Sequence, residues 1–489
     1  MHQGPLAPDA GEVLPAATQP PALRPIFRKV VAACIAGAEE APDELGRVAA
    51  ILAGPQLALL GVTLVEAVLG KKDAAEAARA VVSIAGFVAQ RKGLRFLRSV
   101  RAARLWAPWW KLPRTVLAPD AVVVSHNSFV LAELRARHQA AGCDDGDQLL
   151  LRALDSGPNM PTADVTEATR QLATRVAATL AHRPEAEVAL RAAFQPSAEK
   201  MIRDAAGHMV ALQRLRPLPK HIVSGSGGGY SPRAIGLEVL RRGGDVERFD
   251  HGGPIGLVQL DEHVHMMELQ PSTGFVVAGR RKADLVSSMQ RRLARSTTEI
   301  RSGHGDPHFS AAPRHSARRR GARRRVVYAT ALLRGDAQRL QPLLPDRAYL
   351  AWQRRVLQAL ADPTLDVFLK PHPWDLKPGV AHPLSGDARI LTQPVEQLLD
   401  DTDVFVFDYP QTTALWTAAC TDRPIVFLDL GISEWEPEVS TRLRERFLHV
   451  PVRYSENGPM FDSGTLRTTV ADAPTSVDSS WIRSVLAGD

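Results

Sequence analysis

The stretch "TDVFVFDYPQTTALWTAACTDRPIVFLDLG", residues 402–431, decides how the rest of the chain is read. Val404–Phe407 and Ile425–Leu428 are apolar at every position, so neither run alternates as a half-exposed strand would. Such runs suit central parallel strands covered by helices on both sides. Between them "QTTALWTAACTD" reads as a helix, with Pro410 closing the first strand and Thr412 and Thr413 at its opening positions. Two buried strands joined through a helix make one crossover unit of a parallel α/β sheet.

The same rhythm extends outward. "RRVVYATAL" (324–332) and "LDVFLKPHP" (365–373) read as strands, "YLAWQRRVLQALA" (349–361) as a helix, and "PVEQLLDD" (394–401) as a short helix. Upstream, "DAVVVSHNSF" (120–129), "KHIVSGSGGGYS" (220–231), "DVERFDHGGPIG" (245–256) and "TGFVVAG" (273–279) are strands running into polar or glycine-rich loops. "PRAIGLEVLRRGG" (232–244) is a helix, and residues 160–215 are helical throughout. Two doubly wound halves place their ligand-binding loops at the carboxyl ends of the strands, with a cleft between the halves.

Size and composition fit this organisation. The chain has 489 residues, 45% hydrophobic and 23% charged, the profile of a globular protein of two or three domains. Its three cysteines, Cys34, Cys143 and Cys420, lie far apart, which argues against a disulfide framework or a cysteine zinc site. Residues 1–24, rich in Pro and Ala, read as a disordered tail rather than a signal peptide. Residues 25–115 read as a helical region with a possible peripheral role at a membrane. Within it Val48–Leu69 is long enough to span a bilayer, but Pro55, Gln56 and Glu66 favour a packed hairpin broken at Gly54-Pro55.

The net charge of +7 is unevenly spread. In residues 91–111, Arg91, Lys92, Arg95, Arg98, Arg101 and Arg104 interleave with Trp106, Trp109 and Trp110. Two readings stand side by side: peripheral contact with an anionic inner membrane, or a solvated helix face with its tryptophans in a core. The second basic run, "RHSARRRGARRR" (314–325), has no apolar period and reads as part of a flexible basic linker over 296–325. No stacking aromatics accompany it, so no nucleic-acid partner is expected. The organisation is then 1–24 tail, 25–115 helical region, 116–295 first Rossmann-like domain with a helical insertion, 296–325 linker and 326–489 second Rossmann-like domain.

The loops at the strand ends carry the candidate chemistry. In the second half these are Arg334, then Lys370 and His372 in Lys-Pro-His-Pro, then Asp408 with Thr412 and Thr413. Hydroxyls and unpaired helix N–H groups at Thr412–Thr413, beside two cations, suit a phosphate. A histidine held between Pro371 and Pro373 loses little freedom in binding one phosphate oxygen, and Arg334 offers a bidentate second cation. In the first half the candidates are Ser125 and His126 on the acceptor side, and Asp250, His251, Gly252 and Gly253. His251, expected across the cleft from the phosphate site, is the candidate general base, with Asp250, Asp261 or Glu262 to orient it or act in its place. "SGSGGGYS" lacks the GK[ST] ending of a Walker loop and reads as an acceptor-side or interdomain loop. "HVHMMEL", with His263, His265 and Glu268, lacks the HExxH spacing, and "DDGD" (144–147) and "DTD" (401–403) are explained by capping and chance. No catalytic metal and no separate cofactor are expected.

"FDHGG", "KPHP" and "DVFVFDYPQTTALWTAACTDRPIVFLD", taken in order, resemble bacterial surface-carbohydrate and capsule-polysaccharide transferases of the GT-B fold. That group includes CDP-glycerol glycerophosphotransferases and His-Pro-motif sialyl- and Kdo-transferases. "SHNSF" (125–129) is similar to the first-strand ending of some members. The resemblance covers roughly 120–450 and leaves the helical N-terminal region unexplained. It departs in having Thr-Thr where many members have serines. It implies that His372, Thr412 and Thr413 hold the phosphate of a cytidine nucleotide and, from its glycerophosphate branch, that His251 is the base. The expected activity is transfer of an acidic 2-keto sugar from a CMP-linked donor to a glycan or glycolipid, in the cytoplasm or at the inner membrane face. Glycerol-phosphate transfer from CDP-glycerol and a non-catalytic subunit of a polysaccharide-assembly complex are the alternatives.

Overall fold

The computed structural model describes residues 16–70, 77–78, 121–125, 127–137, 141–143, 149–150, 153–154, 165–215, 218–225, 229–293, 296–315, 323–333, 340–456 and 458–489. Arg334, His126, the basic stretch 91–111, "DDGD" and the middle of "SGSGGGYS" therefore lie outside the described residues. The chain forms two compact units. The N-terminal unit is Ile26–Ala311 with Ser480–Asp489, and the C-terminal unit is Ala312–Ser479 with the residues up to Pro25.

The N-terminal unit is built on strands β1 (Ala121–Ser125), β2 (Ala141–Cys143), β3 (His221–Ser224), β4 (Asp245–Phe249), β5 (Gly274–Val277) and β6 (Glu299–Ser302), in the order β2-β1-β3-β4-β5-β6. Every neighbouring pair is parallel. On one face the helix Ser128–Ala136 lays Phe129, Val130 and Leu134 against Val123, Val223, Phe249 and Val276. Elsewhere Val286 and Met289 of the helix Arg280–Arg292 pack on Phe275 and Val277. The strand order reverses between β1 and β3, so the loops after those strands flank the usual ligand crevice of such sheets.

The helical N-terminal region belongs to this unit. A Cβ added at Gly61 would come within 2.6 Å of Val30, 3.4 Å of Val176 and 3.6 Å of Phe194. Only a glycine there lets four helices meet. The hairpin expected at Gly54-Pro55 does not form, because Glu44–Leu69 is one continuous helix. Pro55 lacks an N–H, which leaves the Ile51 carbonyl one turn earlier without its helical donor. The buried Arg233 supplies it, with Nη2 and Nε donating to that oxygen at 2.8 and 3.2 Å. The same guanidinium donates to the carbonyls of Met266 and Met267. These sit in a π-turn, His265–Leu269, where Gln270 N–H bonds to His265 O and Pro271 has no N–H to offer. One arginine thus serves carbonyls orphaned by two prolines. Glu44–Leu69 is long and apolar enough to cross a membrane, and most of its apolar window is buried inside the protein.

The C-terminal unit is built on β7 (Arg324–Ala329), β8 (Leu365–Lys370), β9 (Arg389–Ile390), β10 (Val404–Phe407), β11 (Ile425–Leu428) and β12 (Leu448–Val450), in the order β12-β11-β10-β7-β8-β9. This six-stranded sheet too is parallel throughout. Relative to its own first strand this is the dinucleotide-binding order, reversing between β7 and β10. The helix Asp346–Leu360 covers one face, with Trp352, Val356 and Leu360 against Val326, Leu369, Val404 and Val426. On the other face Trp416, Phe427, Trp435 and Phe447 form an aromatic layer with centroid spacings of 5.2–6.2 Å. Val404–Phe407 and Ile425–Leu428 are buried on both sides, as their composition requires.

Two boundary expectations are corrected. Residues 296–311, expected to be linker, contain β6 and the short helix Pro307–Ser310, both part of the N-terminal unit. "EIRS" escaped notice because it is polar, and as an edge strand it needs only one buried side. The last residues of the tail are ordered, because Pro20 and Pro21 start a helix where a missing N–H costs nothing. Gln19 donates to Ser455 O at 3.0 Å, and Arg24 donates to Gly431 O at 2.8 Å and pairs with Glu434.

Candidate functional site

In the C-terminal unit, register puts Ala329 opposite both Lys370 and Phe407, so the loops after β7, β8 and β10 start at one level. Lys370 is buried at the end of β8, and its Nζ donates to Pro371 O at 2.7 Å. No carboxylate pairs with it among the described residues. Burial lowers its pKa, and the more distant charge of Glu396 offsets part of that. A buried ammonium without a counter-ion is costly, so the site is electrostatically ready for an anion.

His372 caps the short turn Pro373–Asp375, its Nδ1 accepting the Trp374 N–H at 3.3 Å. An imidazole that accepts at Nδ1 carries its proton on Nε2. In this tautomer His372 offers an N–H to an oxygen, which fits a phosphate holder and not a base. Asp375, in the same turn, accepts from Leu333 N at 3.0 Å, tying the loops after β7 and β8 together. Burial pushes its carboxyl up to about 6.

Thr412 occupies the N-cap position of the helix Thr413–Ala419, yet its side chain makes no capping bond. Ordinary capping therefore does not account for the Thr-Thr pair. Asp408 does not join the ligand-facing set. It is fully buried, and Tyr328 Oη, Tyr349 Oη and Trp352 Nε1 donate to its carboxylate at 2.5, 2.9 and 2.9 Å. Tyr349 Oη also accepts the Ala331 N–H at 2.8 Å, so Asp408 anchors the loops on both sides of the switch point. The first residue after a strand continues its alternation, and here that turns the side chain into the layer beneath Asp346–Leu360.

In the N-terminal unit, Ser125 Oγ lies 2.8 Å from Ser224 Oγ and accepts Gly225 N–H at 3.1 Å, joining the ends of β1 and β3. Asn127 caps Ser128–Ala136 through Val130 N–H and donates to Gly225 O at 3.0 Å. Ser125 thus holds the switch-point loops together. Asp250, expected to orient His251 or act in its place, supports the turn instead. It is buried and ion-paired with the fully buried Lys282, which in turn donates to Gly253 O at 3.1 Å. Gly252 and Gly253 have φ of 79° and 95°, which a side chain would strain. The pair therefore fixes the His-Gly-Gly turn.

His251 is half exposed, and its Nδ1 lies 4.0 Å from Oε1 of the buried Glu268. Asp261 and Glu262, the expected orienting groups, are paired with Arg292 and Arg28 instead. Glu268 was legible only as part of "HVHMMEL". The π-turn that aims it at His251 depends on Arg233, far away in sequence. A second histidine–carboxylate pair went unread as well. His304, after β6, has Nδ1 3.1 Å from the buried Glu133. Asp306, nearby in the same loop, has its pKa raised by burial and by the charge of Asp250. Among the described residues, no group of three or more His, Cys, Asp or Glu side chains is placed to hold a metal ion.

These features define an α/β protein of two units, each a parallel sheet flanked by helices and compatible with a two-domain Rossmann-like fold. No protein-family model matches the chain, and no curated protein matches it significantly.

Proposed function

We propose that the protein is a metal-independent transferase of the GT-B type, taking an acidic 2-keto sugar from a CMP-linked donor to a hydroxyl of a bacterial surface glycan or glycolipid. The observation that carries this reading is the buried ammonium of Lys370, with no carboxylate paired to it among the described residues, two residues from an imidazole whose Nδ1 accepts a backbone N–H. Both groups favour an anionic oxygen at the carboxyl edge of a sheet with nucleotide-binding strand order. Lys370, His372, Thr412 and Thr413 stabilise the departing phosphate, with Arg334 as a further cation. His251, backed by Glu268, accepts the acceptor's proton, a step that contributes about 10²–10⁴-fold. The His251–Glu268 approach also favours a second reading, glycerol-phosphate transfer from CDP-glycerol, because that branch of the resemblance places its base at this histidine.

Thermal-shift measurements with CMP, CDP, UDP and GDP separate these readings. Ligand at about 100 times its dissociation constant stabilises by about 2.7 kcal/mol. CMP is expected to give the largest rise in Tm, and CDP the largest if glycerol phosphate is moved. His372→Ala is expected to lose most of that rise, and an unchanged CMP shift would remove His372 from the site. Lys370→Met is expected to keep or raise the ligand-free Tm, since it deletes a buried charge that Glu396 offsets only in part, while abolishing the shift. A panel in which no nucleotide moves Tm would leave the non-catalytic assembly subunit as the better reading.

A further inference from the structure

Trp374 is 72% exposed, the most exposed large apolar side chain among the described residues. An indole offers a large apolar area, and folding normally buries it. This one is held in the open by its backbone. Pro371 and Pro373 restrict the chain on either side of His372. The turn is closed by Asp375 N–H to His372 O at 3.0 Å and by Leu376 N–H to Pro373 O at 3.2 Å. Asp375 is anchored in turn by Leu333 N–H. The Trp374 N–H itself sets the His372 tautomer. The two rings stand edge to face, 5.7 Å between centroids at 84°. A rigid, solvent-facing π surface therefore sits beside the imidazole whose Nδ1 is held by that backbone N–H.

We propose that Trp374 is the stacking platform for the base of the nucleotide whose phosphate His372 holds. This rests on the nucleotide reading above and adds to it the residue that recognises the base. One ribose separates base from phosphate in a nucleoside monophosphate, a span of the same order as the ring separation seen here. Stacking needs only a π face, so this contact supplies affinity for a base, while discrimination among bases comes from other groups.

Calorimetric titration of the full chain with CMP and with ribose 5-phosphate tests the assignment. Trp374→Ala is expected to weaken CMP binding about 5- to 150-fold and to leave ribose 5-phosphate unchanged. Trp374→Phe, which keeps a π face, is expected to bind CMP nearly as well as the native chain. Unchanged CMP affinity in Trp374→Ala overturns the stacking role alone. An equal loss for both ligands also overturns it, because it marks a residue that only shapes the turn. A native chain that binds neither ligand overturns the nucleotide reading and this proposal with it.

Discussion

Arg233→Met is expected to destabilise the N-terminal unit by about 3–5 kcal/mol, because buried carbonyls lose their donor. The side chain is 1% exposed and serves Ile51, Met266 and Met267 at once. Methionine fills much of the volume, so the loss reports the hydrogen bonds more than a cavity. The cause can be isolated genetically. Pro55→Ala restores an N–H that can bond to Ile51 O along the helix, so it should recover about 1–2 kcal/mol of the loss in Arg233→Met. In the native background the same change should gain less, since Arg233 already occupies that oxygen. Melting temperatures and hydrogen-exchange protection of 44–69 and 261–272 for the native chain, the two single variants and the double variant measure the coupling. Strict additivity would show that Arg233 and Pro55 do not share the Ile51 carbonyl. Pro271→Ala gives the equivalent test at the π-turn.

Asp408→Ala is expected to cost the C-terminal unit about 3–5 kcal/mol at neutral pH, since three buried donors lose one acceptor. Its pH dependence has a definite sign. Burial pushes the Asp408 carboxyl up to about 6, and the Tyr328, Trp352 and Tyr349 donors offset only part of that. Between about pH 4 and 6 the folded state then binds more protons than the unfolded state. Stability therefore falls as pH rises through that window, by about 3 kcal/mol in all, and is flat above it. Asp375, half buried and also raised to about 6, adds a smaller fall of the same sign. Asp408→Asn cannot ionise and should remove most of the slope. Melting of both proteins from pH 4 to 7 measures it, and parallel curves would refute the assignment.

Much of the fold was legible because buried parallel strands read as short, unbroken apolar runs rich in Val, Ile and Phe and bounded by turn residues. Val404–Phe407, Ile425–Leu428, "HIVS" and "GFVV" all lie where their apolar runs put them. The sheet strands missed were the four short or polar edge strands, β2, β6, β9 and β12. An edge strand is held by backbone bonds on one side only and needs no apolar signature. For the candidate site, the rigid Lys-Pro-His-Pro corner was readable because proline acts locally. The roles of Asp250 and Asp408 were not. Whether a carboxylate at a strand end faces ligand or core depends on a lysine or two tyrosines and a tryptophan brought from elsewhere in the chain.

The sequence by itself determined that this is a parallel α/β protein, that its polar chemistry gathers at the strand ends, and that His372 sits on a stiff turn. Each of these follows from local composition and from the fixed φ of proline. Only the tertiary structure decided the rest. It seated Lys370 without a paired carboxylate, turned Nδ1 of His372 to the Trp374 N–H, set Glu268 beside His251 and carried Glu44–Leu69 unbroken through Pro55. Those outcomes depend on which groups long-range packing leaves without water, and a buried polar group takes whatever partner the fold brings within reach.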